Sequence, residues 1–161
     1  MTQIAVIYWS GTGNTQSMAE AVALGIESTG IKAALASVSE TSPTDARKYE
    51  KIALGCPAMG GEVLEESEFE PFFSELEPFL SGKKVVLFGS YGWGDGQWMR
   101  DWQERVVAAG AEIVGSEGLI INETPDEIGL NQCREICWQK RKWKRESGKI
   151  IFPIPFLNFL F

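Results

Sequence analysis

Residues 4–15 read Ile4-Ala5-Val6-Ile7-Tyr8-Trp9-Ser10-Gly11-Thr12-Gly13-Asn14-Thr15, and this stretch decides the fold. Its first part, residues 4–8, is nearly all apolar, which favours a strand buried on both faces, as in a parallel sheet. Residues 10–15 are small and polar and predict a turn. Apolar side chains then recur at helical spacing until Gly30, which predicts a helix that ends there. The chain therefore begins with a strand, a turn and a helix.

The rest of the chain repeats this unit of strand and helix. Further strands are predicted at residues 32–38, 52–55, 84–89 and 112–121, the last interrupted at 115–118. Helices are predicted at residues 43–49, 69–76, 98–109 and 126–137. This alternation predicts an α/β fold in which a parallel sheet of five strands carries helices on both faces, joined by right-handed crossovers.

The composition is that of one ordinary globular domain. The chain has 161 residues, of which 44% are apolar and 23% are charged. These values exclude a disordered protein, a collagen-like fibre and a disulfide-stapled miniprotein. The formal net charge is −7, which argues against a nucleic-acid partner because phosphates need a basic surface.

Several kinds of site and location are excluded by the residue types. The chain contains no histidine, which excludes Ser-His-Asp and Cys-His catalysis and His-containing zinc sites. Cys56, Cys133 and Cys137 are fewer than the four thiolates of a Cys-only metal site, so we expect buried thiols in a reducing cytosol and no metal. The first residues lack the build of a signal peptide, and no apolar run reaches the about 20 residues of a membrane span. We therefore expect a cytoplasmic protein.

The loop at residues 10–15 is the first candidate binding element. Ligands of such sheets bind at the carboxyl ends of the strands, so the binding site is expected in the loops that follow strands. Here glycines and hydroxyls precede a helix, where backbone N–H groups favour an anion. No Lys or Arg is present, which favours a small phosphomonoester over a triphosphate. A plain helix cap is the alternative interpretation.

Two more loops follow the third and fourth strands. In the loop at residues 56–62, Met59 is suited to contact an aromatic ring, and Glu62 could accept a hydrogen bond from a ring N–H. In the loop at residues 90–94, Trp93 stands between two glycines and could lie flat over a planar ligand. The alternatives are a mobile acidic loop and a tryptophan packed in the core. Together the three loops predict a phosphate socket and a sandwich for a flat ring, which fits flavin mononucleotide (FMN).

The sequence resembles the flavodoxins, and in particular their short-chain branch. The resemblance covers residues 3–136, and the matching stretches are Tyr8-Trp9-Ser10-Gly11-Thr12-Gly13-Asn14-Thr15, residues 55–60, residues 62–72, residues 82–94 and Trp98-Met99-Arg100-Asp101. It implies a three-layer sandwich with strand order 2-1-3-4-5. It also implies one noncovalent FMN and a low-potential one-electron carrier that shuttles electrons between redox proteins and has no substrate of its own.

The resemblance also implies the residues that bind FMN. For the phosphate these are Ser10, Gly11, Thr12, Gly13, Asn14 and Thr15, with Ser90 beside them. Around the ring they are Ala58, Met59, Gly60, Gly61, Glu62, Tyr91, Gly92, Trp93, Gly94 and Asn122. Within this set Met59 and Trp93 would cover the two ring faces, Glu62 would face the pyrimidine N3–H, and Gly92 and Asn122 would lie along the ring edge. No catalytic residue is expected.

The expected partners follow from an acidic segment beside the second loop. Its carboxylates are Glu62, Glu65, Glu66, Glu68, Glu70, Glu75 and Glu77. They predict transient docking to basic surfaces of redox proteins such as reductases, other oxidoreductases and ferredoxin-linked enzymes. A solvated helix face is the alternative interpretation. The protein is expected to act as a monomer.

Residues 138–161 depart from the resemblance, so the predicted domain is residues 1–137. Six basic residues against one acidic residue give this tail a charge of +5, which leaves −12 for residues 1–137. An apolar stretch with two prolines, residues 150–161, ends the chain. Three interpretations stay open: an altered reading frame near Cys137, an extension of the last helix, and an anchor to a membrane surface or a partner.

Two other functions share this fold. The first is an FMN-dependent reductase of the quinone or nitro type, which needs an open pocket over the ring; the two predicted ring covers, Met59 and Trp93, argue against it. The second is a signalling receiver without flavin. It needs carboxylates after the first strand, where Tyr8-Trp9-Ser10 stand instead.

Overall fold

The structure is a computed structural model that describes residues 3–136. Its strands are β1 Gln3–Tyr8, β2 Lys32–Ser37, β3 Lys51–Gly55, β4 Lys84–Tyr91, β5 Glu112–Ile113 and β6 Leu119–Asn122. Its helices are α1 Asn14–Glu27, α2 Pro43–Ala46, α3 Phe69–Leu76, α4 Gln97–Ala108 and α5 Glu127–Ile136, and a short 3₁₀ turn at Glu77–Phe79 follows α3. All the predicted elements are confirmed, but α1 begins inside the predicted first turn and α2 is shorter than predicted.

The strands form one parallel sheet. Its order is β2-β1-β3-β4-β5, as the resemblance implied, and β6 also pairs with β4. The predicted fifth strand is thus present in two pieces: Val85 lies opposite Ile113 in the first, and Phe88 lies opposite Leu119 in the second. Gly115 and Ser116, both with positive φ, lie in the segment between them. The predicted interruption is confirmed.

The core is divided between the two faces of the sheet, because successive side chains of a strand point to opposite sides. On one face, Ile4 and Val6 of β1 share a cluster with residues of α1 and with Cys133 of α5. On the other, Ala5 and Ile7 share a cluster with the aromatic residues of α3 and α4. This gives the predicted three layers and brings the ends of β1, β3 and β4 to one edge.

Two of the predicted thiols can be located. Cys56 and Cys133 are buried and unbridged, as expected. Removal from water raises the pKa of the Cys133 thiol to about 12, so the thiol stays protonated at neutral pH. Cys137 and the tail at residues 138–161 lie outside the described residues. Between residues 3 and 136, no helix combines the length and apolar character needed to cross a membrane.

Candidate functional site

A cleft of about 260 Å³ opens at the carboxyl ends of β1, β3 and β4. It brings together most of the predicted cofactor-binding residues, although they come from three separate parts of the chain. Those that line it are Ser10, Gly11, Thr12, Asn14, Thr15, Ala58, Met59, Ser90, Tyr91 and Gly92. The predicted phosphate loop and the predicted ring loops therefore meet in one cavity.

The phosphate loop is folded around the hydroxyl of Ser10. Ser10 Oγ accepts hydrogen bonds from the amides of Gly13 (3.1 Å) and Gln16 (3.2 Å). Gly13 precedes α1 with a φ of 97°, a conformation that other residues rarely adopt. The amides of Thr12 and Asn14 donate to no residue between 3 and 136. These unpaired N–H groups at a helix start match the needs of an anion bound by neutral donors.

Thr15 and Ser90 tie this loop to the sheet. Their hydroxyl oxygens lie 3.0 Å apart, and the amide of Ser90 donates to Thr15 Oγ1 at 3.4 Å. Both residues are buried. The contact joins the first turn of α1 to the end of β4. The two residues predicted to bind the phosphate side thus hold each other in the cavity wall.

The loop that follows β3 is a hairpin closed by backbone hydrogen bonds. The amide of Met59 donates to the Val63 carbonyl (2.8 Å), and the amide of Glu62 donates to the Met59 carbonyl (2.9 Å). Gly61, third in this turn, has a φ of 80°, which a type II turn requires. At the base, the amide of Glu65 donates to the Cys56 sulfur at 3.4 Å. The hairpin therefore holds Met59 against the cleft.

Glu65 fixes the end of this hairpin through a buried carboxylate. It accepts hydrogen bonds from the amides of Ser67, Glu68 and Phe69, each at 2.8 Å, and also from the Ser67 hydroxyl. A negative charge at the start of α3 is favourable because the helix dipole is positive there. Glu65 is 5% exposed, so its predicted membership of the docking surface is wrong. Its carboxylate is used inside the fold.

Replacing Glu65 with glutamine is expected to lower the free energy of unfolding by about 2 kcal/mol, because the amides of Ser67, Glu68 and Phe69 lose a charged acceptor. Burial raises the pKa of the Glu65 carboxyl, but the hydrogen bonds from Ser67, Phe69 and Glu68 outweigh it, so the pKa lies below the ordinary 4.5. The contribution of Glu65 is therefore complete above pH 4.5 and is lost as the pH falls through the lower folded value.

Urea unfolding at neutral and acid pH measures this effect. The difference between the wild type and Glu65→Gln should shrink as the solution is acidified. Glu66→Gln is the matched control, because Glu66 is exposed and should change stability little. A difference that stays constant with pH would show that the charge of Glu65 is not the cause.

The loop that follows β4 carries the other ring residues. Trp93 is 63% exposed and does not line the cleft. Asn122 donates through Nδ2 to the Tyr91 carbonyl (3.2 Å), which fixes the start of this loop. Glu62 Oε1 accepts from the amides of Asp95 and Gln97, each at 3.2 Å. Glu62 thus links the hairpin to the Trp93 loop, whereas a ring N–H was its predicted partner.

Some predicted residues lie beside the cleft rather than in its wall. They are Gly13, Gly60, Gly61, Glu62, Trp93, Gly94 and Asn122. Conversely, Trp9, Pro57 and Glu123 line the cleft and were not predicted to bind. Each follows closely after a strand of the sheet. Glu123 has a φ of 57°, and its amide donates to the Tyr91 carbonyl at 2.7 Å. Glu123 would have been predicted if the expectation that ligands bind at the carboxyl ends of strands had also been applied to β6.

The fold and the cleft together define a doubly wound α/β protein that is built to bind a flat ring carrying a phosphate. The family model described as "Flavodoxin" matches residues 6–136 of this chain. A flavodoxin of Clostridium beijerinckii is 52% identical over 122 residues, which cover 76% of this chain and 88% of the relative. One of Megasphaera elsdenii is 44% identical over 133 residues, which cover 83% and 94%.

A solved structure leads to the same family. The solution structure of two-electron reduced Megasphaera elsdenii flavodoxin superposes with a TM-score of 0.76 at 43% identity, covering 84% of this chain and 96% of that one. This chain belongs to the flavodoxin family, and it is an FMN-binding electron carrier.

Proposed function

We propose that this protein carries single electrons at low potential between other redox proteins in the cytoplasm, and that it has no substrate of its own. The observation that supports this most directly is the cleft, whose wall combines unpaired amides, the Met59 hairpin and the Trp9 ring. Bound FMN supplies the redox chemistry, while the protein sets its position and its electrostatic surroundings.

The phosphate would be held by neutral groups. Ser10, Thr12, Asn14 and Thr15 offer hydroxyl, amide and backbone donors at the start of α1, and no Lys or Arg is among the described residues of the cleft wall. A helix N-terminus favours a phosphate without a cation beside it. Ser90 would then act by fixing Thr15, a role that its contact at 3.0 Å supports.

The ring would lie between Met59 and Trp93. Trp93 stands on a loop with open space around Gly92 and a positive φ at Gly94, so its exposed ring is free to lie over a bound one. Glu123 lines the cleft, and Glu62 lies beside the cleft. Carboxylates near the ring disfavour added negative charge and thereby lower the reduction potential.

The docking partner would be basic. Three carboxylates of the acidic segment are exposed. Glu66 and Glu68 lie between the Met59 hairpin and α3, and Glu75 lies on α3. Glu70 and Glu77 are half-buried and pair with Arg105 at 2.9 and 3.1 Å, so they contribute less negative charge to this surface. Exposed carboxylates speed the encounter with a partner of opposite charge.

Transfer of electrons from the FMN-loaded, reduced protein to a lysine-rich c-type cytochrome tests the proposal. The rate should fall about tenfold from low to high salt, because screening removes the attraction. Transfer to ferricyanide, an anion, should instead become faster as repulsion is screened. NADPH alone should leave the loaded protein oxidised. A cytochrome rate that does not depend on salt would contradict the acidic docking surface, and rapid reduction by NADPH would favour a reductase.

A further inference from the structure

The tail at residues 138–161 has a sequence that electron transfer does not explain. Its first half carries Trp138 and Trp143 among six basic residues, and its second half, residues 150–161, is apolar at nine of twelve positions. Basic side chains attract anionic lipid headgroups, while tryptophan and other apolar side chains enter the boundary between headgroups and acyl chains. The apolar stretch is too short to span a bilayer, which takes about 20 residues. This composition is typical of a segment that lies on an anionic membrane surface.

The described residues show which end of the body, residues 1–137, carries the tail. The tail follows α5, whose last described residue is Ile136. Gly25 of α1 approaches the backbone of Arg134 so closely that a Cβ at Gly25 would overlap the Arg134 carbonyl. Because α1 begins in the wall of the FMN cleft and ends shortly before β2 starts, the end of α5 lies at the amino edge of the sheet. The tail is therefore joined to the body at the edge opposite the cleft.

The amino edge also carries most of the basic residues of the body. The chain has 15 basic residues, and without the six of the tail nine remain in the body. Six of these nine begin a strand or lie just before one, and they are Lys32, Arg47, Lys48, Lys51, Lys83 and Lys84. Carboxylates at the same edge, among them Glu27, Glu50 and Glu112, bring its charge close to neutral.

The charge of the opposite end of the body is strongly negative. Its exposed carboxylates, which follow the carboxyl ends of strands or precede helices, are Glu66, Glu68, Asp95, Glu123, Asp126 and Glu127. The body is thus polarised along its strands, and its amino edge can approach an anionic surface with the least repulsion. That edge also presents the exposed ring of Phe79, which lies 4.6 Å from the Arg47 guanidinium.

We propose that the tail binds this protein to membrane surfaces that contain anionic lipids, with the amino edge of the sheet turned toward the bilayer. The tail and the edge supply the attraction, and the acidic end stays clear of the headgroups. The FMN cleft faces away from the membrane and remains open to the solution. This binding does not depend on electron transfer and is measured without it.

Sedimentation of the FMN-loaded full chain with protein-free vesicles tests the role of the tail. We expect binding to vesicles of equal parts phosphatidylglycerol and phosphatidylcholine, and binding at least about tenfold weaker to phosphatidylcholine alone, because the charge of the tail is +5. Phe159→Ser should weaken binding to the mixed vesicles about tenfold. The matched control is Ile128→Ser, which removes an apolar side chain that is 70% exposed at the start of α5 and should leave binding unchanged.

Three outcomes of this experiment would overturn the proposal. Equal binding to both kinds of vesicle would show that anionic lipids are not recognised. Sedimentation of the protein without vesicles would show that the tail joins copies of this chain. A protein that stays in solution with both kinds of vesicle would show that the tail does not bind lipid.

Two matched charge removals test the orientation of the body. Lys48 at the amino edge pairs with Asp45 at 3.4 Å, and Arg100 near the cleft pairs with Asp95 at 2.8 Å, so each substitution removes one exposed cation from one ion pair. Lys48→Gln should weaken binding to the mixed vesicles about threefold, and Arg100→Gln should not weaken it. Equal effects of the two substitutions would show that the amino edge does not face the bilayer.

Discussion

Alanine at position 89 is expected to destabilise the protein by about 3 kcal/mol, because a small-to-large change here meets backbone rather than a mobile side chain. A Cβ on Gly89 would lie 2.1 Å from the Cys56 carbonyl oxygen and 2.9 Å from its carbon, so β3 and β4 would have to separate. It would also lie 3.2 Å from the Trp98 ring, which donates to that same carbonyl. The strain falls directly beneath the FMN cleft.

The effect should reach the cofactor as well as the fold. Gly89 precedes Ser90, whose hydroxyl holds Thr15 in the cleft wall, so a displaced β4 disturbs the phosphate loop. We therefore expect Gly89→Ala to weaken FMN binding at temperatures where the protein is still folded. Urea unfolding of the FMN-free protein and a titration with FMN measure the two effects separately.

Gly60→Ala is the matched control for this substitution. No atom lies within 4 Å of a Cβ built at Gly60, and its φ is not positive. Its free energy of unfolding should change by no more than about 0.5 kcal/mol. If Gly89→Ala and Gly60→Ala unfolded at the same urea concentration, the close approach of β3 and β4 at Gly89 would not carry the stability assigned to it.

Hydrophobic periodicity and strand ends were enough to predict the fold and the position of the cleft. The buried run of β1 and the loop after it predicted a parallel sheet with its ligand at the carboxyl edge, and the structure has a parallel sheet with a cleft at that edge, whereas the order of the strands was implied by the family resemblance. The interruption of the fifth strand was also predicted. These features depend on local sequence, so one chain is sufficient to find them.

Side-chain partners across the fold could not be predicted in the same way. Thr15 and Ser90 are far apart in the sequence, and their contact depends on how α1 settles over β4. Glu65 resembles its acidic neighbours in sequence, but the turn before α3 buries it. Glu62 reaches the amides of Asp95 and Gln97 because the hairpin and the Trp93 loop are neighbours only in three dimensions. Such pairings are set by tertiary packing.

Replacing Trp93 with alanine is expected to weaken FMN binding by tenfold to a hundredfold, which corresponds to about 1–3 kcal/mol for stacking on a planar ring. Stability should hardly change in the FMN-free protein, because the side chain is 63% exposed and lines no described cavity wall. The combination of a large binding loss with an unchanged unfolding transition is the signature of a residue kept for the ligand rather than for the core.

Phe79→Ala provides the control, because Phe79 is also an exposed aromatic residue, at 47%, but lies shortly before β4 begins and so at the opposite end of the strand from the cleft. Its ring contacts the Arg47 guanidinium at 4.6 Å, and its loss should leave FMN affinity unchanged. Quenching of flavin fluorescence on titration of FMN with each variant measures the affinities. If Trp93→Ala bound FMN as tightly as Phe79→Ala, the Trp93 ring would not cover the flavin. If Trp93→Ala lost FMN affinity only together with a matching loss of folding stability, Trp93 would support FMN binding by stabilising the fold and not by contacting the flavin.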